Sequence, residues 1–382
     1  MLHHASMTKN RAKPPSVNCV SLNISADWCF PELALQVSRM NHMNWTTALK
    51  KPGKLRHGDR VMVVTPCWGG PSLFPHVFDA GVSYLEQTFG LEVVEAPQAR
   101  ADDLMMAFED AAVKGIFASI GGDDSIRILP FLNLDIIAQN PKVFIGYSDV
   151  TSIHFACLKA GISTFYGPSI MSGFAENLGM TRAGKDSFER AVFQSKPIGL
   201  LPKNSEGWTV EMLDWSNPAT QNCARKRIFD DGLEVLQGTG THAGRLIGGC
   251  AEVLETLKAT TWWPTPDYWD GAVLFYETSE EAPSADSVRR WMRNYAAQGI
   301  LDRLSGLIVA RPGGSETTSE YRRAQKDAIM TVISEHGLVD LPVFADADIG
   351  HTDPIYTLPF GARVALDCDS VGIEILESGV TK

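Results

Sequence analysis

From Arg60 to Ala160, short β-branched runs alternate with amphipathic stretches, and that alternation constrains the fold more than any other feature of the sequence. Val61-Met62-Val63-Val64 ends at Thr65-Pro66 as a first buried strand, and the stretch Val77 to Phe89 repeats Phe78, Val82, Leu85 and Phe89 at helical spacing. Leu91-Glu92-Val93-Val94 reads as a second strand. Asp102-Asp103 then cap a helix carrying Leu104, Met105, Phe108 and Ala112, and Gly115 to Ile120 is the strand after it. Val143-Phe144-Ile145-Gly146 is another, followed by a helix that Ser148-Asp149 cap and that runs to Ala160. Such a chain builds an open, mostly parallel sheet with flanking helices, whose functional groups gather at the carboxyl ends of the strands.

Between residues 173 and 243 the pattern lapses into a polar, irregular stretch containing Pro202, Trp208, Trp215 and Pro218. It resumes at Gly244-Arg245-Leu246-Ile247-Gly248-Gly249. Strands over Ala272 to Tyr276, Gly306 to Ala310 and Pro342 to Ala345 alternate with helices over Ser284 to Gln298 and Arg323 to His336. Arg363 to Asp367 and Val371 to Leu376 read as paired antiparallel strands. With 382 residues, the length favours two domains. The expected α/β organisation is an N-terminal extension (1–50), an N-terminal domain with the open sheet (51–172), a linker and substrate loop (173–243), and a smaller C-terminal α/β domain (244–382). In the extension, Trp28, Phe30, Leu33, Leu35 and Val37 form at most a short apolar patch.

A formal charge of −11 argues against non-specific binding to nucleic acid or to an anionic membrane. No segment approaches the roughly 20 apolar residues that span a bilayer. The seven cysteines are scattered without a Cys-x-x-Cys pair, so neither structural zinc nor a disulfide framework is expected and a reducing cytoplasm is the simplest location.

The strand that ends at Gly121-Gly122 leads through Asp123-Asp124 to Ser125 at the start of a helix. A strand, a sharp turn and a helix display a nucleophile, and the helix N-terminus offers the Ile126 N–H to a developing oxyanion. No metal or cofactor is required. Helix capping explains a serine there equally well. The Gly121-Gly122-Asp123 turn is also similar to that of nucleotide-binding kinases such as the NAD kinases, although Asp124 would repel phosphate. A serine nucleophile needs a base and an orienting group. Glu277, just beyond an apolar strand, and His351, in a loop after Gly350, supply one such pair. His154, His242 and His336 have ordinary core, loop and helix-end readings, so the triple of Ser125, Glu277 and His351 is one of several.

Several stretches together resemble the serine LD-carboxypeptidase family, which includes murein tetrapeptide carboxypeptidases and peptidases of microcin C self-immunity. They are Asp103 to Phe108, Ser119 to Ser125, Asn140 to Asp149 with its Gly146-Tyr147-Ser148-Asp149, Phe165-Tyr166-Gly167-Pro168, Leu246 to Gly249, the strand ending at Glu277, and Gly350-His351. The resemblance runs from about Leu49 to the C-terminus. It implies a Ser-Glu-His triad carried over to Ser125, Glu277 and His351, at the junction of two domains. Phe165 to Ser169, Phe174 to Asn177 and the long Trp-bearing loop are more similar to the self-immunity branch than to the murein branch. That likeness implies a small peptide or peptidyl-nucleotide substrate, with Trp208 stacking on its nucleoside. Ser148 is expected to contact substrate or to cap its helix. The segment Glu95 to Arg100 is short and lacks the glycine that family members tend to place before the Arg-Ala-Asp step, so a second oxyanion donor is unassigned. A homodimer is expected.

Overall fold

The computed structural model describes residues 45–97, 99–314 and 317–382, so the extension's apolar patch lies outside the described residues. Its strands are, in chain order, β1 (Arg60–Val64), β2 (Glu92–Glu95), β3 (Val113–Ala118), β4 (Val143–Gly146), β5 (Phe165–Tyr166), β6 (Gly199–Leu200), β7 (Glu234–Gln237), β8 (Thr241–Cys250), β9 (Ala272–Glu277), β10 (Gly306–Ala310), β11 (Val343–Ala347), β12 (Leu358–Pro359), β13 (Arg363–Asp367) and β14 (Gly372–Ile375). They form two sheets, ordered β12-β5-β4-β3-β1-β2 and β6-β14-β13-β8-β9-β10-β11-β7. The first is parallel except for β12. The second has a parallel centre, β8 to β11, with antiparallel strands on both sides. The C-terminal half, expected to be the smaller, therefore carries the wider sheet.

The central strands are legible because they are buried on both faces. β4, β9 and β10 are buried at every position, and a strand with helices on each side reads as a continuous apolar run. The helix Pro75–Phe89 buries Val77, Phe78, Leu85 and Phe89 and stops at Gly90, whose φ of 62° suits the left-handed cap. Among the described residues no helix is long and apolar enough to cross a membrane.

The stretch 173–243 is not simply a linker. It holds the helix Arg182–Val192, capped by Thr181, whose side chain accepts from the Gly184 N–H, and it buries Phe188, Ala191 and Val192. β6 and β7 join opposite edges of the second sheet. The helix escapes a sequence reading because its outer face is charged, and a two-residue edge strand carries almost no pattern.

Two contacts tie the sheets together where functional groups converge. Beyond β11 the chain loops through His351 and returns to the first sheet as β12, which pairs Leu358 with Tyr166. The helix Thr151–Lys159, which follows β4, meets β8 where Thr151 Oγ1 accepts from the Cys250 N–H at 3.1 Å. At Gly249 (φ 143°) a Cβ would lie 2.5 Å from Thr151 Cγ2, so only glycine permits this approach.

Candidate active site

Ser148 stands two residues past the end of β4 and opens a 3₁₀ turn that runs into the helix Thr151–Lys159. Its φ is +63°, a left-handed conformation that a non-glycine residue adopts only under constraint. A strand, a strained residue and a helix lift this side chain above the sheet edge. The Ser148 N–H donates to Tyr166 Oη at 3.1 Å. Opposite, a Cβ on Gly121 would fall 2.7 Å from Ser148 Cβ and 2.8 Å from its Oγ, so the glycine leaves the space that the serine occupies.

Ser148 Oγ lies 3.0 Å from His351 Nε2, and His351 Nδ1 lies 2.7 Å from Glu277 Oε2. Glu277 ends β9 and is buried, and its second oxygen accepts from the Tyr166 hydroxyl. Gly350 (φ 77°) brings the loop so close that a Cβ would sit 2.4 Å from Glu277 Cδ. The His351 ring also meets Tyr147 edge-on, at a centroid distance of 5.0 Å. Together these groups form a continuous proton path from hydroxyl to imidazole to carboxylate.

Burial alone would lower the His351 pKa, but the Glu277 carboxylate, aided by Glu280, outweighs it and raises the imidazole to about 9. Glu280 Oε2 lies 3.1 Å from Nε2, on the side facing the hydroxyl. Only neutral imidazole can accept the hydroxyl proton, so turnover is expected to climb with pH until it levels near 9. Glu280→Gln removes one carboxylate that favours the imidazolium, and the rising limb of kcat/KM against pH should move to lower pH. A limb that stays in place would show that Glu280 does not act on His351.

The structure does not bring Ser125 to His351. Its hydroxyl is fully buried and bonds to Asp149 O at 2.7 Å, Asp149 Oδ1 at 2.6 Å and Ser152 Oγ at 2.5 Å. Asp149 Oδ2 also accepts from the backbone N–H groups of Ser125 and Asp124, at 2.8 and 3.1 Å. Ser125 thus fastens the Gly121-Gly122 turn to the residue that follows Ser148. The assignment of Ile126 as oxyanion donor falls with it, since that N–H belongs to the Ser125 turn and Ile126 is not among the residues lining the cleft. Spacing was the usable signal: Ser148 follows its strand by two residues, whereas Ser125 follows β3 by seven.

The site opens into a cleft of about 690 Å³. Trp68, Gly121 to Asp123, Tyr147 and Ser148 line it from the first sheet's domain, Thr209, Val210, Met212 and Trp215 from the irregular stretch, and Glu280, Glu281, Gly350 and His351 from beyond the second sheet's strands. Trp208 is not in it. That indole is 1 % exposed, donates from Nε1 to Asp230 Oδ2 at 2.9 Å, and lies against the guanidiniums of Arg311 and Arg322 at 5.2 and 5.0 Å. The indole from this segment that does face the cleft is Trp215, which packs edge-on against Phe74 at 5.7 Å. Both are tryptophans of one irregular stretch, and nothing in the sequence separates the fully buried one from the half-buried one that lines the cleft.

The family models of the LD-carboxypeptidase N-terminal and C-terminal domains match residues 61–167 and 243–366. This chain belongs to the LD-carboxypeptidase family. The microcin C7 self-immunity protein MccF of Escherichia coli is 30% identical over 264 residues, covering 69% of this chain and 73% of that protein. A putative carboxypeptidase of Vibrio cholerae is 26% identical over 328 residues, covering 82% and 93%. The structure of MccF in complex with aspartyl sulfamoyl adenosine matches with a TM-score of 0.76 at 25% identity, over 87% of this chain and 100% of the other. The LD-carboxypeptidases are serine carboxypeptidase-type hydrolases, and the two matched segments divide the proton path between them. Ser148 lies in the first, Glu277 and His351 in the second. Trp215 and Arg225, which also line the cleft, lie between the segments matched by the two LD-carboxypeptidase models.

Proposed function

We propose that this protein is a serine peptidase that cleaves the amide-type bond of a peptidyl or aminoacyl nucleotide, with Ser148 as nucleophile. The carrying observation is the pair of contacts from Ser148 Oγ to His351 Nε2 at 3.0 Å and from His351 Nδ1 to Glu277 at 2.7 Å, on the wall of a cleft that also presents Trp215. His351 takes the hydroxyl proton as Oγ bonds to the carbonyl carbon. The N–H of Asp149, next after the nucleophile, and the Gly121-Gly122 backbone facing it share the oxyanion charge. The C–N bond breaks, and His351 returns the proton to the leaving nitrogen. Water, deprotonated by the same imidazole, then releases the acyl group. Throughout, Glu277 holds the ring in the tautomer with Nδ1–H and stabilises its charged form.

The nucleotide preference is supported by the cleft's size, by Trp215, and by the aspartyl sulfamoyl adenosine bound to the MccF relative. A stacked base is worth roughly 1–3 kcal/mol. Trp215→Ala should therefore raise KM for an aminoacyl sulfamoyl adenylate by about tenfold or more, with little effect on kcat. The companion measurement is cleavage of an LD-tetrapeptide by the same preparations. Preference for the tetrapeptide, with no loss in Trp215→Ala, would replace this reading with a murein LD-carboxypeptidase. Binding of the adenylate without turnover would make the protein a sequestering one.

A further inference from the structure

We propose that Cys250, Glu277 and His351 form a binding site for a thiophilic divalent cation, Zn²⁺ in the first instance, whose occupancy switches the serine site off. The proposal rests on the proton path described above and adds a regulator to it. Cys250 ends β8 and Glu277 ends β9, and the parallel register pairs these two residues directly. Their side chains therefore emerge together at the carboxyl edge, where His351 meets Glu277. One donor atom from each, the Cys250 sulfur, a Glu277 oxygen and a His351 nitrogen, all lie within 4.8 Å of one another.

A thiolate, an imidazole and a carboxylate are the donor types that zinc takes, and three protein ligands with a fourth open position are an established zinc geometry. Donors around a tetrahedral zinc stand roughly 3.5 Å apart, so the widest-spaced pair closes by about 1 Å while His351 Nδ1 and Glu277 Oε2, now 2.7 Å apart, part by a similar amount. The charges favour occupancy. A dication with one thiolate and one carboxylate is neutral overall, which suits a buried position. Glu252 Oε2 already receives the Cys250 thiol at 3.2 Å and can accept its proton as the metal binds.

The consequence for chemistry follows from the ring. In the working arrangement Nδ1 carries a proton directed at Glu277, leaving Nε2 free to receive the one from Ser148. A metal on Nδ1 requires that proton to move to Nε2, where Ser148 Oγ and Glu280 can accept from it, so the nitrogen that would receive the hydroxyl proton is already occupied and the orienting carboxylate is held by the ion. Hydrolysis stops with no covalent change, and a chelator restores it.

The test uses the full chain in its reduced, metal-free form, with Cys250→Ser and Ser148→Ala as companions. Zn²⁺ binding is read by calorimetry without substrate, and Co²⁺ serves as a chromophore because cobalt bound to thiolate absorbs in the near ultraviolet. The expected results are one ion per chain, a cobalt–thiolate band in wild type and Ser148→Ala, and about tenfold or greater weakening in Cys250→Ser. Zinc inhibition of wild type should be reversed by chelator, and Cys250→Ser, compared with its own zinc-free rate, should need about tenfold more zinc. Absence of the cobalt band, or equal zinc affinity and inhibition in Cys250→Ser, would overturn the proposal. Because Ser148→Ala is read by binding alone, a failure of the hydrolase assignment would leave the metal result interpretable, and the reverse also holds.

Discussion

Ser148→Ala is expected to reduce hydrolysis by roughly 10⁴- to 10⁶-fold in kcat, the scale on which removing a nucleophile acts in serine hydrolases. The protein should fold as before, because alanine keeps the Cβ that packs against Gly121, and removing one hydroxyl opens no large cavity. Substrate should still bind. Ser125→Ala should behave in the opposite way. Its hydroxyl donates into a buried Asp149 carboxylate that also holds two backbone N–H groups. Losing that bond costs about 1–3 kcal/mol of stability. Chemistry should survive, reduced only as far as the Gly121-Gly122 turn loosens. Comparing kcat and thermal unfolding of the two variants separates a reacting hydroxyl from a fastening one. Loss of kcat in Ser125→Ala alone would reverse the assignment.

Glu277→Gln should lower kcat by roughly 10²- to 10⁴-fold while leaving the fold in place. A glutamine of the same shape still meets His351 Nδ1 and Tyr166, but it carries no charge to stabilise the imidazolium formed when Ser148 reacts. The same change alters the pH dependence in a definite direction. Glu277 is the principal group that raises His351 to about 9 against the opposing effect of burial. Without it the folded-state pKa falls, the imidazole is neutral over a wider range, and the residual activity should rise to its plateau at a lower pH than in wild type. A profile of kcat/KM between pH 5 and pH 10 reads both effects. An unmoved profile would mean that another group governs the titration.

The sheet architecture was legible because fully buried parallel strands and their covering helices leave long apolar runs, as at Val143 to Gly146 and Ala272 to Tyr276. The convergence of Glu277 and His351 was legible for a related reason, since Glu277 ends one such strand and His351 follows the carboxyl end of another. Which serine meets His351 was not legible: the residue expected there was Ser125, and the one that lies there is Ser148. Ser125 and Ser148 each follow an apolar strand and precede a helix, and only Ser125 is preceded by a pair of glycines. Gly121 makes room for Ser148 and Gly122 for Cys67 and Trp68, tertiary relations that local sequence does not display. The positive φ of Ser148 is likewise invisible in composition. Trp208 and Trp215 differ only in what packs on them, and the two arginines that cover Trp208 come from more than 90 residues downstream.

Mapping the site of covalent labelling tests the central claim most directly. Reaction of the full chain with a fluorophosphonate, followed by digestion and mass spectrometry, should place the adduct on Ser148. It should persist in Ser125→Ala and vanish in Ser148→Ala. An adduct on Ser125, or undiminished labelling of Ser148→Ala, would contradict the account.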